Sequence, residues 1–367
     1  MANFQLVMAF SLGLGLVFFT IPVIVRISHD KHLFDVPNER KVNKHVVPNL
    51  GGIALFIGIM LGILLSILNQ PFPELRFILS GMLILFFIGI KDDILNIPAH
   101  RKLTAQILSA LILIIPGGIR FTNLHGIMGI HELDYAVSVL FSLLSVVAII
   151  NAQNLIDGID GLASSIGILA ATFFGVLFFQ SGQLNYAILC AATGGSLVSF
   201  FMYNVYGSRN KIFMGDTGSL LLGLLLSVFV IQYNEFSLSG SEQAQHFSPV
   251  LSLAIMALPV FDMIRIFVAR IYRRKSPFAP DMNHIHHKFL SLGLSHRRTT
   301  LILITANLLI IAVILLLQDM NKTILLLLLI VLVGAFMLVP GFLKKRQKKV
   351  SMLKPAVQVV KKKGTIR

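Results

Sequence analysis

Long apolar runs alternate with short polar segments along the whole chain, the pattern of a polytopic membrane protein. Eleven runs read as membrane-spanning helices: 4–25, 50–68, 75–90, 103–117, 135–150, 160–179, 184–203, 218–234, 248–271, 299–317 and 323–343. A helix needs about 20 predominantly apolar residues to cross a bilayer, and the polar residues at their ends extend the shorter runs. The expected fold class is therefore all-α and polytopic. An odd number of spans puts the two termini on opposite sides. No internal repeat stands out, which weakens a transporter built from inverted halves.

Charge sets the orientation. Residues 26–49, 91–102, 204–217, 272–298 and 344–367, with the span-end pair Arg265 and Arg270, hold 28 of the 31 Lys and Arg. Only Arg76, Arg120 and Lys322 fall at the other face. Basic segments stay in the cytoplasm, so the N-terminus is expected outside and the C-terminus inside. Composition agrees with a membrane protein: 56% of residues are hydrophobic and 13% charged, against about half and about a quarter in soluble domains. The net charge of +15 follows from this bias and a basic tail, so no nucleic-acid partner is expected. Residues 1–343 read as one transmembrane domain, and 344–367 as a basic, disordered cytoplasmic tail attracted to anionic lipid. The first run has no basic residue before it and no small-residue cleavage site after it, so it is expected to be a retained helix. The one cysteine, Cys190, excludes a disulfide or a cysteine-built zinc site.

The few carboxylates sit at the ends of apolar runs. Asp92, Asp93, Asp157, Asp160 and Asp216 all fall on the cytoplasmic side by this topology. A carboxylate at a membrane boundary is costly to desolvate and is kept where it has a cation, a partner or water. In KDDILNIPAHRK, 91–102, Asp92 and Asp93 repel each other unless a cation is near, and Lys102 can hold a phosphate. The blander reading is a solvated helix end. In NAQNLIDGIDGLASS, 151–165, Asp157 and Asp160 are three apart and share a helix face, while Gly158 and Gly161 permit close approach. The helix dipole alone favours carboxylates at the start of a span, yet it leaves Asn151 and Asn154 unexplained. In FMGDTGSLLLG, 213–223, Asp216 opens a span and can serve as a cap or a ligand of Mg²⁺, which takes hard oxygen donors.

Two further loops are candidates. PDMNHIHHKF, 280–289, brings His284, His286 and His287 near Arg273, Arg274, Lys275 and Lys288. Zinc binding, a phosphate cradle and a solvated cluster are all compatible with that pattern. HLFDVPNERKVNKHVVPNLGG, 32–52, contains Arg40 and Lys41 and reads either as a polar lip over the site or as an ordinary basic loop.

In this order, DD at 92–93, NLIDGIDG at 154–161, MGDTGS at 214–219 and HIHH at 284–287 resemble the polyprenyl-phosphate N-acetylhexosamine-1-phosphate transferases, glycosyltransferase family 4. The resemblance covers about residues 1–343 and extends to the eleven-span, N-outside architecture. It implies transfer of a sugar 1-phosphate from a UDP-sugar to a membrane polyprenyl phosphate, with release of UMP and a requirement for Mg²⁺, or Mn²⁺ in its place. Asp160 and Asp216 are then the expected metal ligands. Asp92, with Asp93 beside it, and Asp157 are the expected catalytic carboxylates, Asp92 contacting or deprotonating the lipid phosphate. The substrate-binding set is Lys102, Asn154, His284, His286 and His287, with Arg40 and Lys41.

The histidine loop with its preceding basic run is similar to the bacterial branch that makes undecaprenyl-diphospho-N-acetylglucosamine. The resemblance thus implies UDP-N-acetylglucosamine and undecaprenyl phosphate as substrates, membrane lipid as surroundings, and the first membrane step of a cell-envelope polysaccharide. A bacterial inner-membrane location with the site on the cytoplasmic face goes with it, and a homodimer is compatible. Transfer of phospho-N-acetylmuramoyl-pentapeptide, or use of another UDP-N-acetylhexosamine, is the rival within the class. A cation-coupled transporter is the rival from another class. It predicts acids in mid-span, where Asp262, three residues before Arg265, is the main exception to an apolar pattern.

Overall fold

The computed structural model describes residues 1–33, 47–68, 71–236, 249–274 and 283–363, with side chains as far as Gln347. Each apolar run becomes helix. The order is α1 (Ala2–Asp30), α2 (Gly51–Ser66), α3 (Leu75–Leu95), α4 (Ala99–Ile114), β1 (Asn123–Ile127), β2 (Ile130–Glu132), α5 (Tyr135–Ile156), α6 (Leu162–Gln180) and α7 (Leu184–Phe201). There follow α8 (Gly215–Phe236), α9 (Pro249–Ile255), α10 (Ala257–Tyr272), α11 (Ile285–Leu290), α12 (His296–Leu316) and α13 (Lys322–Lys363).

Among the described residues, seven helices are long and apolar enough to cross a membrane, or eight if the bent pair α9–α10 makes one crossing. The chain is a helical, multi-pass membrane protein. At 16 residues each, α2 and α4 fall short of the expected span length of about 20. Arg76, Lys91, Asp92 and Asp93 lie on α3, so it is more charged than a typical span.

The core is built around α8. Every residue from Thr217 to Asn234 is buried, as expected of a helix that is apolar on all sides. Helices α2, α3, α5, α6 and α9 pack against it, and α1 packs on α2 and α7 behind them. The first turn of α8 carries Asp216, so the most enclosed helix also anchors the polar end of the bundle.

Two features depart from the sequence reading. The run 248–271 is two helices meeting at 78°. Pro259 has no N–H to give to the carbonyl of Ile255, four residues back, and Asn307 Nδ2 on α12 donates to that carbonyl at 3.0 Å. A bend is stable in an apolar setting when a neighbouring helix satisfies the freed group in this way. The segment between α4 and α5 forms a small antiparallel hairpin. Its turn residues Met128 and Gly129 both have positive φ, 53° and 78°, the backbone that two-residue hairpin turns require. Finally, α13 is drawn as one helix from Lys322 to Lys363.

Candidate active site

Asp216 is held from several directions. Lys102 Nζ, on the first turn of α4, lies 2.5 Å from Asp216 Oδ2 and 2.7 Å from Asp92 Oδ2, bridging the two carboxylates. Asn154 Nδ2, near the end of α5, donates to Asp216 Oδ1 at 3.1 Å and to Ser219 Oγ at 2.8 Å. Asp92 Oδ1 accepts the Ile97 N–H at 2.8 Å, which ties down the tight turn between α3 and α4.

Asp93 does something different from its neighbour. Its Oδ1 accepts the Asp216 N–H at 2.8 Å, and its Oδ2 accepts the Thr217 N–H at 3.0 Å and the Thr217 hydroxyl at 2.6 Å. A carboxylate on α3 thus caps α8, using the free donors and positive dipole end that every helix start presents. Asp93 is a positioning residue for Asp216, because its oxygens are committed to the cap.

Gly215 makes the junction possible. Its φ is +68°, and a Cβ there would lie 2.0 Å from the Asn49 carbonyl oxygen and 2.7 Å from both Asp93 carboxylate oxygens.

The loop between α5 and α6 supplies the other acids. Asp160 Oδ2 is 2.6 Å from Lys211 Nζ and 3.4 Å from His296 Nδ1. Burial pushes the Asp160 carboxyl up, but the hydrogen bonds from His296 and Lys211 outweigh it and hold it below the usual carboxylate range. Its Oδ1 is buried and takes no hydrogen bond from a described residue. Asp157, just after α5, makes no hydrogen bond or ion pair with a described residue. Burial foremost, then the negative charges of Asp216, Asp93 and Asp160, push it up to about 7. The loop is anchored by Asn204, which lies in a π-helical turn, Met202–Tyr206, that prolongs α7. Its Oδ1 accepts the Gly161 N–H at 2.7 Å and its Nδ2 donates to the Ile212 carbonyl at 2.9 Å.

All five aspartates line one cavity of about 260 Å³, together with Asn49, Asn96, Asn154 and Asn204. A second cavity of about 350 Å³ is lined by Lys102, Gln106, Asn151, Asn154, Arg270, His284, His286 and His287. Asn154 and Gly158 line both, so the two spaces adjoin. The lack of a side chain at Gly158 lets His286 pack on the acidic loop: a Cβ there would meet its Nε2 at 2.3 Å.

Burial foremost, helped by His287 and His284, pushes His286 from 6.5 down to about 3. Its ring is therefore neutral in the folded protein at any physiological pH, and neither nitrogen has a hydrogen-bond partner among the described residues. The unfolded chain binds this proton below about pH 6.5 while the folded chain does not. The contribution of His286 to stability is therefore complete above that pH and drains away as pH falls towards 3. Thermal unfolding in detergent should show a larger loss of stability between pH 7 and 5 for the wild type than for His286→Gln. Equal losses would contradict the neutral buried ring.

The comparisons with known proteins fit this geometry. The sequence profile of the family described as Glycosyl transferase family 4 matches residues 75–234, the stretch that holds all five aspartates, Lys102 and Asn154. The chain is 31% identical over 301 residues to the undecaprenyl-phosphate alpha-N-acetylglucosaminyl 1-phosphate transferase of Yersinia pestis, covering 81% of this chain and 79% of that one. The chain belongs to glycosyl transferase family 4. Two more members are similar over comparable lengths. A Bacillus subtilis (strain 168) protein named a probable undecaprenyl-phosphate N-acetylglucosaminyl 1-phosphate transferase is 33% identical over 300 residues, 81% of each chain. The Escherichia coli (strain K12) undecaprenyl-phosphate alpha-N-acetylglucosaminyl 1-phosphate transferase is 31% identical over 273 residues, 74% of this chain and 72% of that one.

In this family 4 chain the oxygen donors suit a hard cation. Among the described residues no three His, Cys, Asp or Glu side chains form a ready cage, and lysines lie against one oxygen each of Asp216 and Asp160. Mg²⁺ does not need such a cage, because it is usually held by one or two carboxylates, water and substrate phosphates. Asp160 Oδ1 and Asp157, which have no hydrogen-bond partner among the described residues, are placed to contribute.

Arg40 and Lys41 lie outside the described residues. Sequence reasoning missed Asn204, Lys211, His296 and Arg270 as members of the site. Lys211 had a signal, a lone lysine three residues before the MGDTGS motif. His296 and Arg270 reach the site only through the packing of α12 and α10.

Proposed function

We propose that this family 4 protein transfers N-acetylglucosamine 1-phosphate from UDP-N-acetylglucosamine to undecaprenyl phosphate, releasing UMP. The observation that carries the reading is the meeting of Asp92, Lys102, Asp157, Asp160 and Asp216 at one cavity. The activity follows the names of the Yersinia and Escherichia relatives. The partition of Lys and Arg supports eleven crossings with the N-terminus outside, and hence a site on the cytoplasmic face of a bacterial inner membrane. That placement suits the substrates: a UDP-sugar arrives from water, while a polyprenyl tail stays in lipid.

In the reaction an oxygen of the lipid phosphate attacks the sugar-side phosphorus of the UDP-sugar. The bond from that phosphorus to the bridging oxygen breaks, and UMP leaves. Asp160 and Asp216 would hold Mg²⁺, whose chemistry is to neutralise the diphosphate and ease departure of UMP. Lys102, now between Asp92 and Asp216, exchanges one carboxylate for an incoming phosphate oxygen and offsets its charge. Asp92, once released by Lys102, accepts a proton from the lipid phosphate. His284, His286 and His287 line the adjoining space on the nucleotide-sugar side. Attack is direct, because a phosphate oxygen is already a competent nucleophile.

The transport reading depended on Asp262. That carboxylate is fully engaged by Arg265, His284 and the Ile285 N–H, which does not suit an ion path.

The deciding experiment offers purified protein each UDP-sugar separately, with undecaprenyl phosphate and Mg²⁺, and measures UMP. UDP-N-acetylglucosamine should support turnover that chelation abolishes and Mg²⁺ restores. Turnover only with UDP-N-acetylmuramoyl-pentapeptide, or none with either, would overturn the assignment. In the same assay Asp92→Asn should cost about 10²–10⁴-fold in turnover, the usual range for a positioned proton acceptor.

A further inference from the structure

A buried carboxylate in the middle of α10 is outside the chemistry described so far. Asp262 is 1% exposed, and a charge taken out of water on an apolar helix is retained only with close partners. Its Oδ1 accepts Arg265 Nη2 at 2.6 Å and the Ile285 N–H at 3.1 Å. Its Oδ2 lies 2.9 Å from His284 Nδ1 and 3.2 Å from the Ile285 nitrogen. Arg265 Nη2 also donates to the Asn283 carbonyl at 2.7 Å. The start of the histidine loop is therefore fastened to one side chain.

We infer that Asp262 is the positioning residue of His284, holding its ring so that Nε2 is presented to the cavity shared with His286 and His287. The tautomer follows from the donors. A carboxylate that takes an arginine and a backbone N–H is ionised and only accepts, so His284 Nδ1 carries the proton. Nε2, across the ring, makes no hydrogen bond with a described residue, and the ring lines the second cavity. A neutral His284 offers Nε2 to that cavity as an acceptor, and a protonated one offers it as a donor beside the paired charge of Asp262. The ring stacks almost parallel on His286, with an interplanar angle of 8° and centroids 5.8 Å apart, so a turn of His284 would disturb its neighbour.

The inference rests on reading that cavity as the nucleotide-sugar side of the site. The test is a double-mutant cycle between Asp262→Asn and His284→Gln. Asparagine keeps the shape, but its carbonyl oxygen is needed by Ile285 and Arg265, so its amide N–H₂ faces Nδ1 and forces the proton to Nε2. Removing the partner that orients a metal-bound imidazole costs about 10–100-fold, and a factor of that order is the expectation for His284. Asp262→Asn should raise the KM for UDP-N-acetylglucosamine by that factor and leave the KM for undecaprenyl phosphate unchanged. On the His284→Gln background the same change should cost nothing further. A purely structural fastening would cost the same on both backgrounds and would overturn the inference.

A second readout does not depend on turnover. In ¹⁵N-histidine-labelled protein, the resonance lost in His284→Gln should report an Nδ1–H ring in the wild type and an Nε2–H ring in Asp262→Asn. The same tautomer in both would also overturn the inference. A wild type with the expected tautomer but no UMP release would sink the proposed function and leave the Asp262–His284 pairing standing.

Discussion

Asp216→Ala is expected to abolish transfer, lowering UMP release by at least about 10³-fold, while the protein still inserts and purifies as a folded species. Both Asp216 oxygens face the site, one held by Asn154 and the other by Lys102. Removing them takes away an oxygen donor for the cation and lets Lys102 collapse onto Asp92 alone. The effect should be chemical, because the Asp93 cap on the α8 backbone does not use the Asp216 side chain. Asp216→Asn makes the comparison sharper, since it keeps the shape and loses the charge, and it too should fall by orders of magnitude. Steady-state UMP release, with size-exclusion profiles in detergent as the control, decides the matter. Near-normal turnover in either purified variant would remove Asp216 from the chemistry.

Gly215→Ala is expected to give the largest loss of stability from one methyl group, on the order of 2–4 kcal/mol. Part of this is backbone: at φ +68° an L side chain is strained, by about 1–2 kcal/mol. The rest is contact, because the new Cβ would sit 2.0 Å from the Asn49 carbonyl oxygen, a backbone atom that cannot rotate away. Relief requires Gly215 to pull back from Asn49, in the segment before α2, and from the Asp93 carboxylate on α3, which loosens the Asp93 cap and moves Asp216. Stability and turnover should therefore fall together. Gly182 is the control: its φ is +74°, and no atom lies within 4 Å of a Cβ there. Gly182→Ala should lose only the backbone part and keep full turnover. Matching thermal unfolding midpoints for the two variants would show that the close approach of Gly215 to Asn49 and Asp93 is not the constraint described.

Asp93 shows how far a motif can be read from its letters. Adjacent acids suggest adjacent roles, yet one turns towards Lys102 and the other towards the start of a helix more than a hundred residues away. Successive side chains on a helix point about 100° apart, so neighbours in sequence face different partners. Which partner each meets depends on what packs there. The same limit applies to the loop beyond α5, where Asp160 is clasped by Lys211 and His296 while Asp157, three residues earlier, makes no hydrogen bond with a described residue.

By itself the sequence determined the apolar runs, their helical nature and the strong bias of positive charge to one set of connections. These depend on local composition, because an apolar environment forces every backbone N–H and C=O into a local helical partner. It also determined which residue types carry the chemistry, since acids, lysines and histidines are rare in such runs and stand out wherever they occur. Only the tertiary structure decided the bend at Pro259, the enclosure of α8, the division of labour between Asp92 and Asp93, and the recruitment of Lys211, His296 and Asp262. Each of these is a contact between segments distant in the chain. A carboxylate's role follows from the donor that reaches it, and in this protein that donor comes in most cases from another helix.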